Sequence, residues 1–374
     1  MAAINSVIKA LLRKLGYDPG RRDFFAGSAP VSDQEFVAQV YRQFLDREAD
    51  PAGLQHYVQS LADGLPRLQV IQQVVSGDEH LRRLLRQKAL TLPALKDLRP
   101  DKFVEERLRG SREKALAFLA AGPADLDWLE QCISEYGYYD AMGVWWREAD
   151  QDKQVIADQA AAFAPARVLE IGCFSGAVLE LLAAGGVVAE GVEVSHLALT
   201  LAPHQVRARI HFGDLRELRL PSYDLILGMD VFEHLNPRSL PGFLARCAEL
   251  LASGGYLLTN IPAYGPDPVF GEIHPYYFER WDQCQQDGLF TLLHVDKAGW
   301  PISGHLTWAT SAWWQRLFNA AGLVREPGIE RALHGRWDGF FKEQAPARRS
   351  FYVFSKDRTP AQAQEIIRRV AGQG

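Results

Sequence analysis

Apolar residues in the first quarter of the chain recur at three- and four-residue intervals, the spacing of helices with one buried face. Ile4, Val7, Ile8, Leu11, Leu12 and Leu15 make one such stripe, with Lys9, Arg13 and Lys14 beside it. The pattern sharpens at Ser32. Ser32 and Glu35 have the spacing of a capping box, and Val31 and Phe36 that of a hydrophobic staple. Phe36, Val37, Val40, Tyr41, Phe44 and Leu45 then supply a buried face. Asp50 and Pro51 read as the cap and first residue of a second helix carrying Leu54, Tyr57, Val58 and Leu61, which Gly64 ends. Leu68, Ile71 and Val75 mark a third helix, and Ser76 with Glu79 repeats the box before Leu81, Leu84 and Leu85. Residues 96–150 read as more helix, broken at Gly122-Pro123 and resumed by Leu126, Leu129, Ile133 and Tyr136. The aromatic stretch GYYDAMGVWWREADQDK that follows is placed to fold over a ligand as a lid.

Beyond it the period changes. Arg167 to Ile171 is a short apolar run containing an acid, followed by a glycine-rich turn and a helix from about Ala177. Val187 to Val192 is a second strand that closes on Glu193. This order predicts the first half of a doubly wound parallel sheet, in which ligands bind outside the carboxyl ends of the strands. Val206 to Phe212, YDLILGMD and LLASGGYLLTNIP predict three more strands. The near-continuous apolar run of YDLILGMD suits a strand covered on both faces. Gly172 and Gly176 permit positive φ and leave no Cβ between main chain and ligand. Glu193 can accept from both hydroxyls of a cis-diol, because a carboxylate has acceptor sites on two oxygens.

Composition narrows the classes. At roughly 100–200 residues per domain, 374 residues favour two domains. A hydrophobic share of 47% with 23% charged residues is that of a folded globular chain. The formal charge is 41 − 46 = −5 and the sequence pI about 6.1, which argues against a nucleic-acid partner. No window of about 18 apolar residues is free of charge, so no transmembrane helix is expected. The N-terminus lacks the charged start and cleavage site of a signal peptide. Cys132, Cys173, Cys247 and Cys284 are far apart with no metal-ligand spacing, which suits packing roles in a reducing cytoplasm.

Two cofactor classes use a turn of this kind. A dinucleotide site wants G-x-G-x-x-G, and this chain reads G-C-F-S-G. Instead, Glu170-x-Gly172-x-x-x-Gly176 resembles the first motif of class I S-adenosylmethionine-dependent methyltransferases, with Phe174 where that family has its middle glycine. Gly213-Asp214-Leu215, Asp230-Val231-Phe232-Glu233-His234-Leu235, the Gly254-Gly255 turn, WWQRLFNAAGL and SFYVFSK follow in the family's order from about Lys153 to Lys356. The resemblance implies an α/β fold: a Rossmann-like, seven-stranded doubly wound sheet, here preceded by an all-α N-terminal domain. It implies S-adenosyl-L-methionine as cofactor and S-adenosyl-L-homocysteine as product. Glu170, Gly172, Phe174 and Gly176 would hold the methionine end, Glu193 the ribose and Asp214 with Leu215 the adenine, with Cys173, Val194 and Asp230 also among the cofactor-binding residues. Residues 31–85 resemble a small bacterial helical domain of unknown function related to phycobilisome linker repeats, through Leu45-Asp46-Arg47-Glu48, Asp50-Pro51-Ala52-Gly53-Leu54, Tyr57 and Gly64. That resemblance implies an adaptor and no activity.

Methyl transfer needs alignment, exclusion of water and, for a hydroxyl acceptor, a base. His305, His234 and His274 are the candidate bases, His305 first for its place after Gly304. Asp230, Glu233 and His234 resemble the ligand set of some magnesium-dependent members; a magnesium ion is the secondary expectation and no metal is assigned. The insert from Pro262 to Trp308 concentrates aromatics suited to sugar faces. The expected activity is methylation of a hydroxyl oxygen on a saccharide or glycan precursor in bacterial polysaccharide biosynthesis. The alternatives are a small natural product or aromatic hydroxyl as acceptor, or a non-catalytic adaptor. The expected organisation is an amphipathic helix (1–30), a helical adaptor (31–95), a helical connector or lid (96–150), the methyltransferase domain (151–358) and a helical tail (359–374). The expected location is cytoplasmic, peripheral to the inner membrane at most, with a protein partner taken through the helical domain.

Overall fold

A computed structural model describes residues 32–75, 77, 79–80, 83, 91–142, 151–195, 198–199, 202–274, 276–344 and 348–372. The expected N-terminal amphipathic helix, the Val31 staple and Ser76 of the second capping box lie outside them. The chain divides into two compact units, residues 1–84 and 85–374. In the first, α1 (Asp33–Leu45), α2 (Pro51–Ala62) and α3 (Arg67–Val75) form as the caps predict. Ser32 accepts from Glu35 N and Asp50 from Gly53 N, satisfying amides that a helix start leaves open. Phe36, Val37, Val40, Phe44, Val70 and Ile71 close a separate small core.

The second unit opens with β1 (Phe103–Arg107) and β2 (Lys114–Leu119), then α4 (Pro123–Glu135), α5 (Tyr138–Met142) and α6 (Gln151–Ala162). The two strands overturn the expected all-helical connector. Ala- and Leu-rich KALAFL carries no strong strand propensity, and pairing decides its state. β2 is sandwiched between β1 and a strand about 175 residues later. The α/β region proper is β3 (Arg167–Ile171), α7 (Ala177–Ala184), β4 (Val188–Glu193), β5 (Ile210–Phe212), β6 (Tyr223–Met229), α8 (Leu240–Leu250) and β7 (Leu251–Asn260). β5 is shorter than the expected Val206–Phe212, because His204–Arg207 make a helical turn. The insert then runs through two two-residue ladders to β8 (Leu292–His294), where Leu293 pairs with Phe118 of β2. α9 (Ser311–Ala320), β9 (Val324–Arg325), α10 (Pro327–Gln344), β10 (Phe351–Ser355) and α11 (Pro360–Val370) complete the chain.

The seven-stranded sheet has the order β9-β10-β7-β6-β3-β4-β5, with β10 antiparallel to its neighbours β7 and β9. The order reverses between β3 and β6, and such a switch point opens a crevice at the carboxyl ends of the strands. One face is covered by α6, α7, α10 and α11 (Val155, Leu179, Leu333 and Ile366 pack there), the other by α8 and α9 (Leu244, Phe318). The helical tail is therefore part of the core and not an appendage. A third core joins β1, β2, β8 and α4 to the insert through Phe118, Leu129, Tyr264, Trp281, Phe290, Trp300 and Trp308. Trp281, Trp300 and Tyr264 are fully buried. The insert's aromatics thus fill a core, which removes the expected open platform for sugar rings.

Candidate active site

The crevice is built from four carboxyl-end turns. After β3 the chain turns through Gly172 (φ 67), Phe174 (φ 46) and Gly176 (φ 81) into α7. Phe174 occupies the left-handed region where the resembling family has glycine, at a backbone cost of the order of 1 kcal/mol. The missing Cβ atoms serve packing more than ligand approach: one on Gly172 would lie 3.0 Å from Val231 Cγ2, and one on Gly176 2.3 Å from Val206 Cγ1. Cys173 is buried against Gly191, where an added Cβ would meet its Sγ at 2.3 Å.

Glu193 holds this turn closed. Its carboxylate accepts from Phe174 N, Val194 N and Ser195 N, each at 2.8 Å. Glu170 is buried close by; burial and the neighbouring Glu193 charge push its carboxyl up to about 8, and Oε2 has no hydrogen-bond partner. A buried acceptor without a partner is costly on its own and fits the ammonium of an amino-acid ligand. At the ends of β4 and β5, Val194 is 67% and Phe212 38% exposed, an apolar pair suited to the faces of a planar base. Asp214 follows, held by Arg216 at 2.6 Å with its carboxyl kept below the usual range chiefly by that bond. The Leu215 side chain is buried in the core, so only its main chain is left to line the site.

The third turn follows β6. Asp230 (φ 50) accepts from Asn260 Nδ2 at 2.8 Å and pairs with Arg348 Nε at 2.7 Å, while Arg348 also pairs with Asp152 of α6. Asp230 is therefore turned toward Arg348 and Asn260, and the expected magnesium set of Asp230, Glu233 and His234 is not assembled. Glu233 is 1% exposed, and neither carboxylate oxygen has a hydrogen-bond partner. Burial, with Asp230 nearby, pushes its carboxyl well above the ordinary value.

The fourth turn ends the insert and docks on the third. Leu306 N and Thr307 N both donate to Glu233 O at 2.9 Å, and Thr307 Oγ1 donates to Leu235 O at 2.6 Å. This clamp brings His305 Nε2 to 4.0 Å from Glu233 Oε1 and the His305 ring to 4.9 Å from that of His234. Tyr139 of α5 covers the pair: its hydroxyl donates to Gly304 O at 3.2 Å and lies 3.4 Å from His234 Nδ1. Burial holds His234 down to about 4, and burial beside His234 and His274 holds His305 well below its usual value. Both imidazoles are neutral near pH 7. His274 stands apart, stacked on Tyr264 at 5.0 Å with Nε2 2.9 Å from Tyr277 Oη.

Residues 145–325 match a family described as a methyltransferase domain. By that match the C-terminal part of the chain carries a methyltransferase domain. Residues 23–84 match the domain of unknown function DUF4214. Solved structures similar to the chain include CalS10, an amino pentose methyltransferase from Micromonospora echinaspora (21% identity over 60% of this chain and 96% of that one, TM-score 0.37). A 1,6-didemethyltoxoflavin-N1-methyltransferase from Burkholderia thailandensis is similar at 15% identity over 68% of this chain and 100% of that one, with a TM-score of 0.41. DesVI from Streptomyces venezuelae is similar at 19% identity over 55% and 90%, with a TM-score of 0.35. No curated protein matches the chain.

Within the methyltransferase domain, the structure thus brings together Glu170, Gly172, Cys173, Phe174, Gly176, Glu193 and Val194 at one turn, and Glu233, His234 and His305 at another. It leaves His274 in the aromatic core and Leu215 inside the sheet face. Arg348, Asn260 and Phe212 were missed by sequence reasoning, whereas Tyr139 belongs to the aromatic stretch expected to act as a lid, of which residues 143–150 lie outside the described residues. Asn260 and Phe212 sit at carboxyl ends of strands, a position that could have marked them. Arg348 carries no such mark.

Proposed function

We propose that the methyltransferase domain transfers a methyl group to a hydroxyl oxygen of a saccharide or glycan precursor in bacterial polysaccharide biosynthesis. When bound, S-adenosylmethionine supplies an electrophilic methyl carbon on a sulfonium. Glu170 would take its ammonium, Glu193 the ribose, and Val194, Phe212 and Asp214 the adenine, with the Gly172–Gly176 turn beside the methionine end. The carrying observation is the buried cluster of Glu233, His234 and His305 at the switch point. It combines an unpartnered carboxyl with two neutral imidazoles, groups that can receive the proton of an acceptor hydroxyl. Asp152, Asp230, Asn260 and Arg348 add donors and acceptors beside it, which suits a polyhydroxylated acceptor better than a flat apolar one. The helical unit is proposed to dock a protein partner, since it closes its own core and has no cluster of this kind among its described residues.

The test is transfer of labelled methyl from S-adenosylmethionine to a panel of sugar nucleotides and glycans, set against phenolic acceptors. Turnover on a saccharide at least ten-fold above that on phenols is expected. Turnover on phenols alone overturns the acceptor class, and failure to bind S-adenosylhomocysteine overturns the assignment of the cofactor turn.

A further inference from the structure

We propose that Glu233, His234 and His305 form a binding site for one divalent transition-metal ion of the zinc or cobalt class. Each residue offers one ligand atom, and the three atoms lie within 4.8 Å of one another. Glu233 contributes a buried carboxylate with neither oxygen bonded, an arrangement that is costly unless something compensates it. A cation at this point compensates it directly. Arg348, the positive side chain whose charge reaches Glu233 among the described residues, is already engaged by Asp152 and Asp230.

The donor set decides the class of ion. Two imidazole nitrogens and one carboxylate suit zinc, cobalt or iron, whereas magnesium prefers oxygen ligands alone. Three protein ligands leave a coordination position open, as in sites that act on a substrate and unlike closed structural ones. The supporting contacts are in place. The Tyr139 hydroxyl lies against His234 Nδ1 and is itself anchored on Gly304 O, the outer contact that orients a ligating histidine. The three backbone and hydroxyl bonds from Leu306 and Thr307 hold the two ligand-bearing turns in register. Ligand pairs around a tetrahedral ion stand about 3.4 Å apart, from metal–ligand distances of about 2.0–2.1 Å. A contraction of at most about 1.4 Å between any two of the ligand atoms therefore closes the site.

The inference rests on the proposed function only for the use of the ion: ligation occupies the lone pairs of Glu233, His234 and His305, so the bound ion replaces them as the means of ionising the acceptor hydroxyl, lowering its pKa at the open position and releasing its proton to water. Its binding is tested separately. The full chain, stripped with chelator, is titrated with cobalt(II) and followed by visible d–d absorption and by quenching of tryptophan fluorescence. Trp308 reports on the site because its ring lies 5.0 Å from that of His305. One ion per chain is expected, with affinity at least ten-fold weaker in Glu233→Gln, His305→Ala and His234→Asn, and unchanged in His211→Ala. Titration with S-adenosylhomocysteine, expected to be unaltered, shows that each variant is folded. Absence of stoichiometric cobalt bands, or equal binding by folded Glu233→Gln and His305→Ala, overturns the site. Saccharide methylation that survives complete chelation with no bound ion overturns the metal and leaves the proposed function standing. Stoichiometric binding without saccharide turnover does the reverse.

Discussion

At the scale of single residues, the methyltransferase turn is a set of carboxylates with opposed tasks. Glu193 accepts three backbone amides at 2.8 Å, so it organises the turn as well as facing the crevice. Glu193→Ala should weaken S-adenosylhomocysteine binding at least 100-fold by calorimetry; an affinity within three-fold of the parent would remove it from the site. Glu170 behaves differently. Its folded carboxyl titrates at about 8, above the ordinary 4.5, so the folded state holds a proton that the unfolded state gives up. Its cost to stability is absent below about pH 4.5, grows as pH rises and levels off above about 8. Glu170→Gln should therefore raise Tm little at pH 5 and clearly at pH 8, through a difference of the order of a few kcal/mol. An equal gain at both pH values would show that Glu170 is not protonated in the folded chain. The acids and glycines of this turn were legible because their order along the chain is the order of the turn. Phe174 was legible as a departure, and its φ of 46 shows how it is absorbed: the backbone keeps the glycine conformation and bears the strain.

At the scale of elements, the parallel strands were readable and the β1–β2–β8 sheet was not. A buried parallel strand is a run of apolar residues that announces itself locally. β2 becomes a strand because β8 arrives from the insert to pair with it, and no local pattern encodes that meeting. The insert is tied to the sheet edge in a similar non-local way. Arg325 of β9 is buried and donates to both oxygens of Asp267 at 2.9 Å and, through Nε, to Glu330 of α10 at 2.9 Å. Removing one member of a buried ion network leaves the others uncompensated. Arg325→Ala should cost about 3–5 kcal/mol in denaturant unfolding, and a loss below about 1 kcal/mol would mean that Asp267 and Glu330 find other partners.

At the scale of the molecule, the two compact units invite separation. The segment 85–374 contains the seven-stranded sheet, its two covering layers and the aromatic core. Expressed alone, it should unfold in one cooperative transition and bind S-adenosylhomocysteine within two-fold of the full chain. A ten-fold loss would show that the helical unit supports the cofactor turn. The mild charge of −5 agrees with a crevice whose acids are mostly paired or buried. No helix among the described residues is long and apolar enough to cross a membrane. By itself the sequence determined the strands of the parallel sheet, the caps of the first two helices and the glycine turn after β3, since each is encoded by residues within about twenty positions of one another. The tertiary structure alone decided that His305 meets Glu233, that Arg348 claims Asp230, and that the insert's aromatics form a core. Those contacts join segments from about 70 to about 175 residues apart, and packing, not local pattern, brings them together.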